Sequence, residues 1–118
     1  MPFGSPGGDV QCQAMLQVFL NIIVFGMNPQ DAVEQPRFAS FDFPNSFEPH
    51  LRQPRRLCIE NRFHKDTGRE LSALGYDVQT WPDLTWLAGG VCLVAKDISS
   101  GVLAGAADPR RTGYATGW

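Results

Sequence analysis

The chain has 118 residues, a formal net charge of −2 at pH 7, and 43% hydrophobic against 19% charged residues. That length suits one ordinary domain, able to bury about two-thirds of its unfolded surface, and the charge balance excludes both a disordered tail and a broad basic face for nucleic acid. Glycine and proline, at 12 and 9 residues, exceed their average usage, which disfavours a helical bundle and predicts many turns.

Met1–Gly8 reads as a tight exposed loop, because Gly4, Pro6, Gly7 and Gly8 supply turn conformations and little to bury. Asp9 stands at the N-cap position of a helix running from Val10 to about Phe25. Its apolar residues fall in two rows, Val10, Ala14, Val18, Ile22 and Phe25, then Leu16, Phe19, Leu20 and Ile23. A helix apolar around so much of its girth should be buried between layers. Gly26 ends it, and Asn28-Pro29 restarts a short helix that Pro36 closes. Arg37–Phe43 alternates as a half-buried strand, Pro44, Pro49 and Pro54 mark an irregular stretch, and Leu57–Arg62 is a second strand candidate. A helix over Thr67–Leu74, stopped by Gly75, should lead into a strand at Tyr76–Gln79, while Thr80–Ala88 has no clear pattern. Two apolar runs, Gly90–Lys96 and Val102–Ala107, flank a polar turn and predict a hairpin. The absence of alternation in the first run points to a sheet covered on both faces. The order of elements gives an α+β or layered α/β pattern with mainly antiparallel pairing.

Cys12, Cys58 and Cys92 form no CxxC pair, so the pattern supports neither a disulfide framework nor a zinc site, and buried, reduced thiols are expected. Met15–Met27 is interrupted by Gln17 and Asn21 and is shorter than the ~20 residues of a membrane span. The first residues have neither a positive start nor an apolar stretch of signal-peptide type. If the chain is part of a longer one, export stays open.

Chemistry concentrates in Gly4-Ser-Pro-Gly-Gly-Asp9. Consecutive glycines before a helix let backbone N–H groups converge on an anion or a developing oxyanion, although a plain turn explains the same spacing and Asp9 opposes a bound phosphate. His50 and His64, the two histidines, lie in a proline-rich stretch and a polar turn, where solvated roles outweigh general base catalysis. Asp108-Pro109-Arg110 could grip a carboxylate through the arginine fork, but an ion pair tying the chain to its body is the stronger reading. Trp81, Trp86 and Trp118 are not interleaved with basic residues, which favours packing over base stacking.

Together these residues resemble the γ-glutamyltransferase family of N-terminal-nucleophile hydrolases. The resemblance rests on Phe3–Gln13 (FGSPGGDVQCQ), Leu16–Asn21 (LQVFLN), Phe25–Phe38 (FGMNPQDAVEQPRF) and Gly105–Arg110 (GAADPR). It implies an αββα sandwich, of which residues 1–118 supply an incomplete domain, the C-terminal part of the small subunit. It implies a precursor that cleaves itself, exposing a threonine that attacks a γ-glutamyl amide with its own α-amino group as base. By the same resemblance Gly7 and Gly8 form the oxyanion hole, Ser5 and Pro6 shape the substrate loop, and Asp9 caps the helix. No metal or other cofactor is implied. The partners implied are the rest of the small subunit, the large subunit and the γ-glutamyl substrate, with no nucleic acid and no membrane span. The chain departs from the family in lacking the nucleophile: Thr67, Thr80, Thr85, Thr112 and Thr116 are internal and outside its motif. Phe43–His50 (FPNSFEPH) looks more like divergent bacterial members than glutathione-degrading ones. An acylase of the same family, a non-catalytic interaction fragment and, least favoured, a phosphate-binding loop are the alternatives, and the compartment is left undetermined.

Overall fold

In the computed structural model, which describes residues 1–117, two three-stranded sheets share one long helix. The elements are β1 (Phe3–Gly4), α1 (Val10–Ile23), α2 (Pro29–Glu34), β2 (Phe38–Ser40), β3 (Arg56–Glu60), α3 (Lys65–Ala73), β4 (Asp77–Trp81), β5 (Cys92–Lys96) and β6 (Leu103–Ala107), with a 3-10 turn at Trp86–Ala88. One sheet has the order β1-β5-β6 and is wholly antiparallel. The other is β2-β3-β4, antiparallel at β2-β3 and parallel at β3-β4 across α3. The fold is α+β with mainly antiparallel pairs, as the order of elements predicts. Trp118 lies outside the described residues.

Helix α1 joins the two halves. Its row Val10, Ala14 and Val18 is buried, each residue four after the last. Ala14 and Val18 pack with Ala32, Val33, Val91, Leu93 and Ala106 over the first sheet, and Val10 packs with Ala39, Cys58, Trp81 and Ala88 over the second. The glutamines beside that row act as backbone mimics. Gln13 exchanges hydrogen bonds with both backbone groups of Ser40 (3.0 and 2.8 Å), and Gln17 with those of Phe38 (2.9 and 3.1 Å), so the outer edge of β2 is covered by side chains. Gln30 treats Ala107 on the edge of β6 in the same way (3.1 and 3.2 Å).

Several local expectations hold. Asn28 caps α2, its side-chain oxygen accepting from the Asp31 N–H at 2.9 Å with Pro29 in the first turn. Gly26 takes a positive φ of 67° just beyond α1. Hairpin β5-β6 turns at Asp97–Gly101, where the Asp97 carboxylate accepts from the hydroxyls of Ser99 and Ser100 and its pKa falls to about 2.

Others are corrected. The opening segment is not all loop, since Phe3 and Gly4 pair with Leu93 and Cys92, and the Phe3 ring stacks on Phe19 of α1. The second apolar row of α1 is not buried: Leu16, Phe19, Leu20 and Ile23 are all exposed, because among the described residues no layer lies over them. Likewise β5 is covered on one face only, with Leu93 buried while Cys92 and Val94 face outward. The strand covered on both faces is β3, whose Leu57, Cys58, Ile59 and Glu60 are all buried. Only Cys58 of the three free cysteines is buried. Boundaries move by a few residues: β2 ends at Ser40, α3 begins at Lys65, and β4 continues to Trp81, taking up the start of the stretch without a pattern.

Candidate functional site

The glycine loop lies between the end of β1 and the start of α1. Gly7 and Gly8 have φ of 128° and 59°, a region that residues with a Cβ rarely enter. A Cβ on Gly8 would also sit 3.2 Å from the Phe47 ring. Beneath the loop, Ser5 Oγ accepts from the Gly90 N–H at 3.0 Å and donates to the Pro6 carbonyl at 2.9 Å. Gly89 makes this approach possible: it has a φ of 86°, and a Cβ there would come within 2.9 Å of Ser5 Oγ and 3.0 Å of Ala14 Cβ. The Gly8 carbonyl accepts from Gln11 at 3.0 Å, so the loop passes directly into the helix. Among the described residues, the N–H groups of Gly7 and Gly8 donate to no partner. They stand at the positive end of α1, where the helix dipole favours negative charge.

Asp9 does not cap α1 with its side chain. Its carboxylate instead accepts from the N–H (2.8 Å) and the hydroxyl of Ser46, which hold its pKa below the usual aspartate range. The contact fastens the irregular Phe43–Leu51 segment beside the glycine loop and sets Phe47 over Gly8.

Behind this loop lies a buried charge network. Arg110 grips Glu60 in bidentate fashion, Nε to Oε1 at 2.8 Å and Nη2 to Oε2 at 2.5 Å, and reaches Asp108 at 3.0 Å. Arg37 Nη1 lies 2.5 Å from Asp108 Oδ2. Backbone groups fill the remaining positions: Glu60 accepts from the N–H groups of Arg37 (2.9 Å) and Thr85 (3.2 Å), and Asp108 from that of Val91 (2.9 Å). The arginines donate to the carbonyls of Val33, Gln35 and Ala88. Burial raises the Glu60 pKa, but the hydrogen bond from Arg110, the Arg37 N–H and the Arg110 and Arg62 charges outweigh it, so the result is a lowered value. At Arg110 burial lowers the pKa, while the Glu60 hydrogen bond and the Asp108 charge carry it upward. With Nε, Nη1 and Nη2 all engaged by Glu60, Asp108 and backbone carbonyls, Arg110 has no free fork for a ligand, whereas Arg37 Nε is buried without a partner. It is the tie between chain and body, and not a carboxylate receptor. Arg37 and Glu60 share this network without having stood out in the sequence, since the two residues are separated by the whole irregular segment.

Both histidines are exposed and engaged by near neighbours in sequence. His50 is exposed, with Nδ1 2.8 Å from the Asn45 carbonyl oxygen and Nε2 3.3 Å from Glu48. His64 caps α3, its ring nitrogen accepting from the Asp66 N–H. Trp81 packs in the core against Phe41, whereas Trp86 is exposed with Arg111 stacked 5.3 Å above its ring. Among the described residues no cluster of histidine, cysteine, aspartate and glutamate is gathered for a metal ion, and no helix is long and apolar enough to cross a membrane.

Comparison with known proteins places this loop and network in a wider setting. The chain is 30% identical to the glutathione hydrolase-like YwrD proenzyme of Bacillus subtilis over 98% of its length, and to the oxamate amidohydrolase proenzyme of Klebsiella pneumoniae over all of it. It spans about a fifth of those relatives, 21% in each case. Among solved structures it superposes on the cephalosporin acylase from Bacillus halodurans with a TM-score of 0.82 and 32% identity, covering 99% of this chain and 20% of that one. The family model for gamma-glutamyltranspeptidase matches residues 1–118. Sequence, fold and relatives agree, and the chain belongs to the gamma-glutamyltranspeptidase family.

Proposed function

We propose that this chain is the C-terminal part of the small subunit of an autoprocessed γ-glutamyl amide hydrolase or transferase, and that it supplies the oxyanion hole. The single observation that carries the reading is the pair of undonated N–H groups on Gly7 and Gly8, presented in left-handed geometry at the N-terminus of α1. In this reading a threonine in another part of the precursor attacks the amide carbonyl. The oxygen becomes negative and moves toward the two donors, which need no reorganisation to receive it. The C–N bond breaks, the amine leaves with a proton, and water or a second amine takes the acyl group. Ser5 and Pro6 fix the loop, and the remainder of the small subunit and the large subunit complete the site.

The test replaces Gly8 with proline in the complete enzyme, removing one donor. Turnover of a γ-glutamyl anilide should fall by about 100- to 1000-fold, with precursor cleavage and subunit assembly retained. If assembly fails equally, the loop is structural. The 118-residue chain alone should release no anilide, and activity matching the complete enzyme would refute the assignment of the nucleophile elsewhere.

Similarity to a cephalosporin acylase and an oxamate amidohydrolase favours a second reading, amide hydrolysis on a different acyl group. The same two donors serve any tetrahedral intermediate. A substrate panel comparing γ-glutamyl, oxamate and cephalosporin side-chain amides separates the two.

A further inference from the structure

A 270 Å³ cavity opens beside the glycine loop, between the N-terminal end of α1 and the Phe43–Leu51 segment. Phe41, Phe43, Phe47 and Leu51 give it apolar walls, and Asp9 and Glu48 contribute carboxylates. Among the described residues no lysine, arginine or histidine lines it. The nearby basic groups are engaged: Arg52 pairs with Asp42 at 2.9 Å, Arg56 donates to Gln53 and lies 5.4 Å from the Phe41 ring centre, and His50 faces Glu48 at 3.3 Å. Phe47 belongs to both features, since it lines the cavity and lies against Gly8. Asp9, the residue after Gly8, also lines it, so the cavity borders the glycine loop.

We infer that this cavity receives the amine half of the scissile amide, and that it selects apolar, aromatic or branched amines without a carboxylate. The inference rests on the proposed function above. Charge decides which half of the substrate fits. A γ-glutamyl group is a zwitterion, and its α-carboxylate needs a cationic partner that the described lining residues, with two carboxylates and no lysine or arginine, do not supply. The amine half leaves as a neutral amine carrying the threonine proton and becomes an ammonium ion by taking a further proton from water, a charge that the two carboxylates complement. Aromatic walls add apolar burial and attraction between ring faces and a cation. The cysteinylglycine half of glutathione ends in a carboxylate and is disfavoured by the same argument. The hydroxyl and N–H of Ser46 hold the Asp9 carboxyl below its ordinary pKa.

The experiment compares kcat/KM of the complete enzyme on γ-glutamylbenzylamide and on glutathione, which share an acyl group. Wild type should prefer the benzylamide. Phe47→Ala should lower that preference by about tenfold or more, as expected for losing a large apolar wall. Glu48→Lys should lower it about two- to fivefold, the scale of an exposed charge, by admitting the carboxylate. A preference unchanged in both variants, or a wild type that favours glutathione, overturns the inference. If neither amide is hydrolysed, the proposed function fails while the cavity is still read directly by calorimetric titration with benzylamine. Saturable binding weakened by Phe47→Ala supports the cavity assignment, and binding that is absent or indifferent to Phe47 overturns it.

Discussion

Glu60 shows how a single side chain can hold several elements. It sits at the end of β3, fully buried, and takes hydrogen bonds from Arg110 and from the backbones of Arg37 and Thr85. Replacing it with glutamine leaves Arg37 and Arg110 facing Asp108 alone, and an uncompensated buried charge costs about 3–5 kcal/mol. Its pH dependence follows from the same contacts. Because the folded pKa lies below the unfolded one, the stabilisation is present above the ordinary glutamate range and is lost as pH falls through the folded value. Acid denaturation followed by circular dichroism of the complete enzyme should show this loss, and Glu60→Gln should be less stable at pH 7 and flatter in the acid limb. Half of this network was legible: Asp108-Pro109-Arg110 read correctly as an ion pair. Its partners were not, because Glu60 looks like any polar strand-end residue until the fold brings Arg110 to it.

At the scale of elements, what could be read was what neighbouring residues decide. Asn28-Pro29 specifies a helix start, Gly26 a helix stop, and the polar turn at Asp97–Gly101 a hairpin, all within a few residues. Contacts distant in sequence left weaker marks. Gln17 reads as an interruption of an apolar run, yet with Gln13 it closes the edge of β2. Phe3 and Gly4 looked like loop because their strand partner lies at residues 92–93. Gly89 gave no signal at all, although it sets the spacing between Ser5 and α1. Gly89→Ala should strain the backbone by about 1–3 kcal/mol and push Ser5 off the Gly90 N–H. Thermal unfolding of the complete enzyme would read the first effect. On the proposed function, a fall in kcat exceeding any rise in KM would read the second, since a displaced loop would misplace the proposed oxyanion donors chiefly in the transition state.

Taken whole, the molecule is larger than its length warrants. Its radius of gyration is 15.6 Å, against roughly 13.5 Å for a domain of this length. Its accessible surface of 7647 Å² exceeds the roughly 6,300 Å² of a typical monomer of this mass. The excess coincides with two apolar surfaces, the outer row of α1 at Leu16, Phe19 and Ile23, and the open side of the β1-β5-β6 sheet around Val94 and Leu103. The apolar periodicity of α1 made the first of these readable as a buried face; it could not tell that no covering layer is present among the described residues. Expressed alone, the chain should bind a hydrophobic dye and self-associate. Leu16→Lys with Ile23→Lys should reduce both in the isolated chain and weaken assembly of the complete enzyme, as size-exclusion chromatography would show.

The hydrogen bond from the Gly90 N–H to Ser5 has a temporal side. Ribosomes deliver the amino end first, so the Gly4–Asp9 turn emerges without its clamp and waits for a donor 85 residues later. Only then can Ser5 settle against Gly89 and the Gly90 N–H. Maturity of the loop therefore reports that most of the chain has been made and folded.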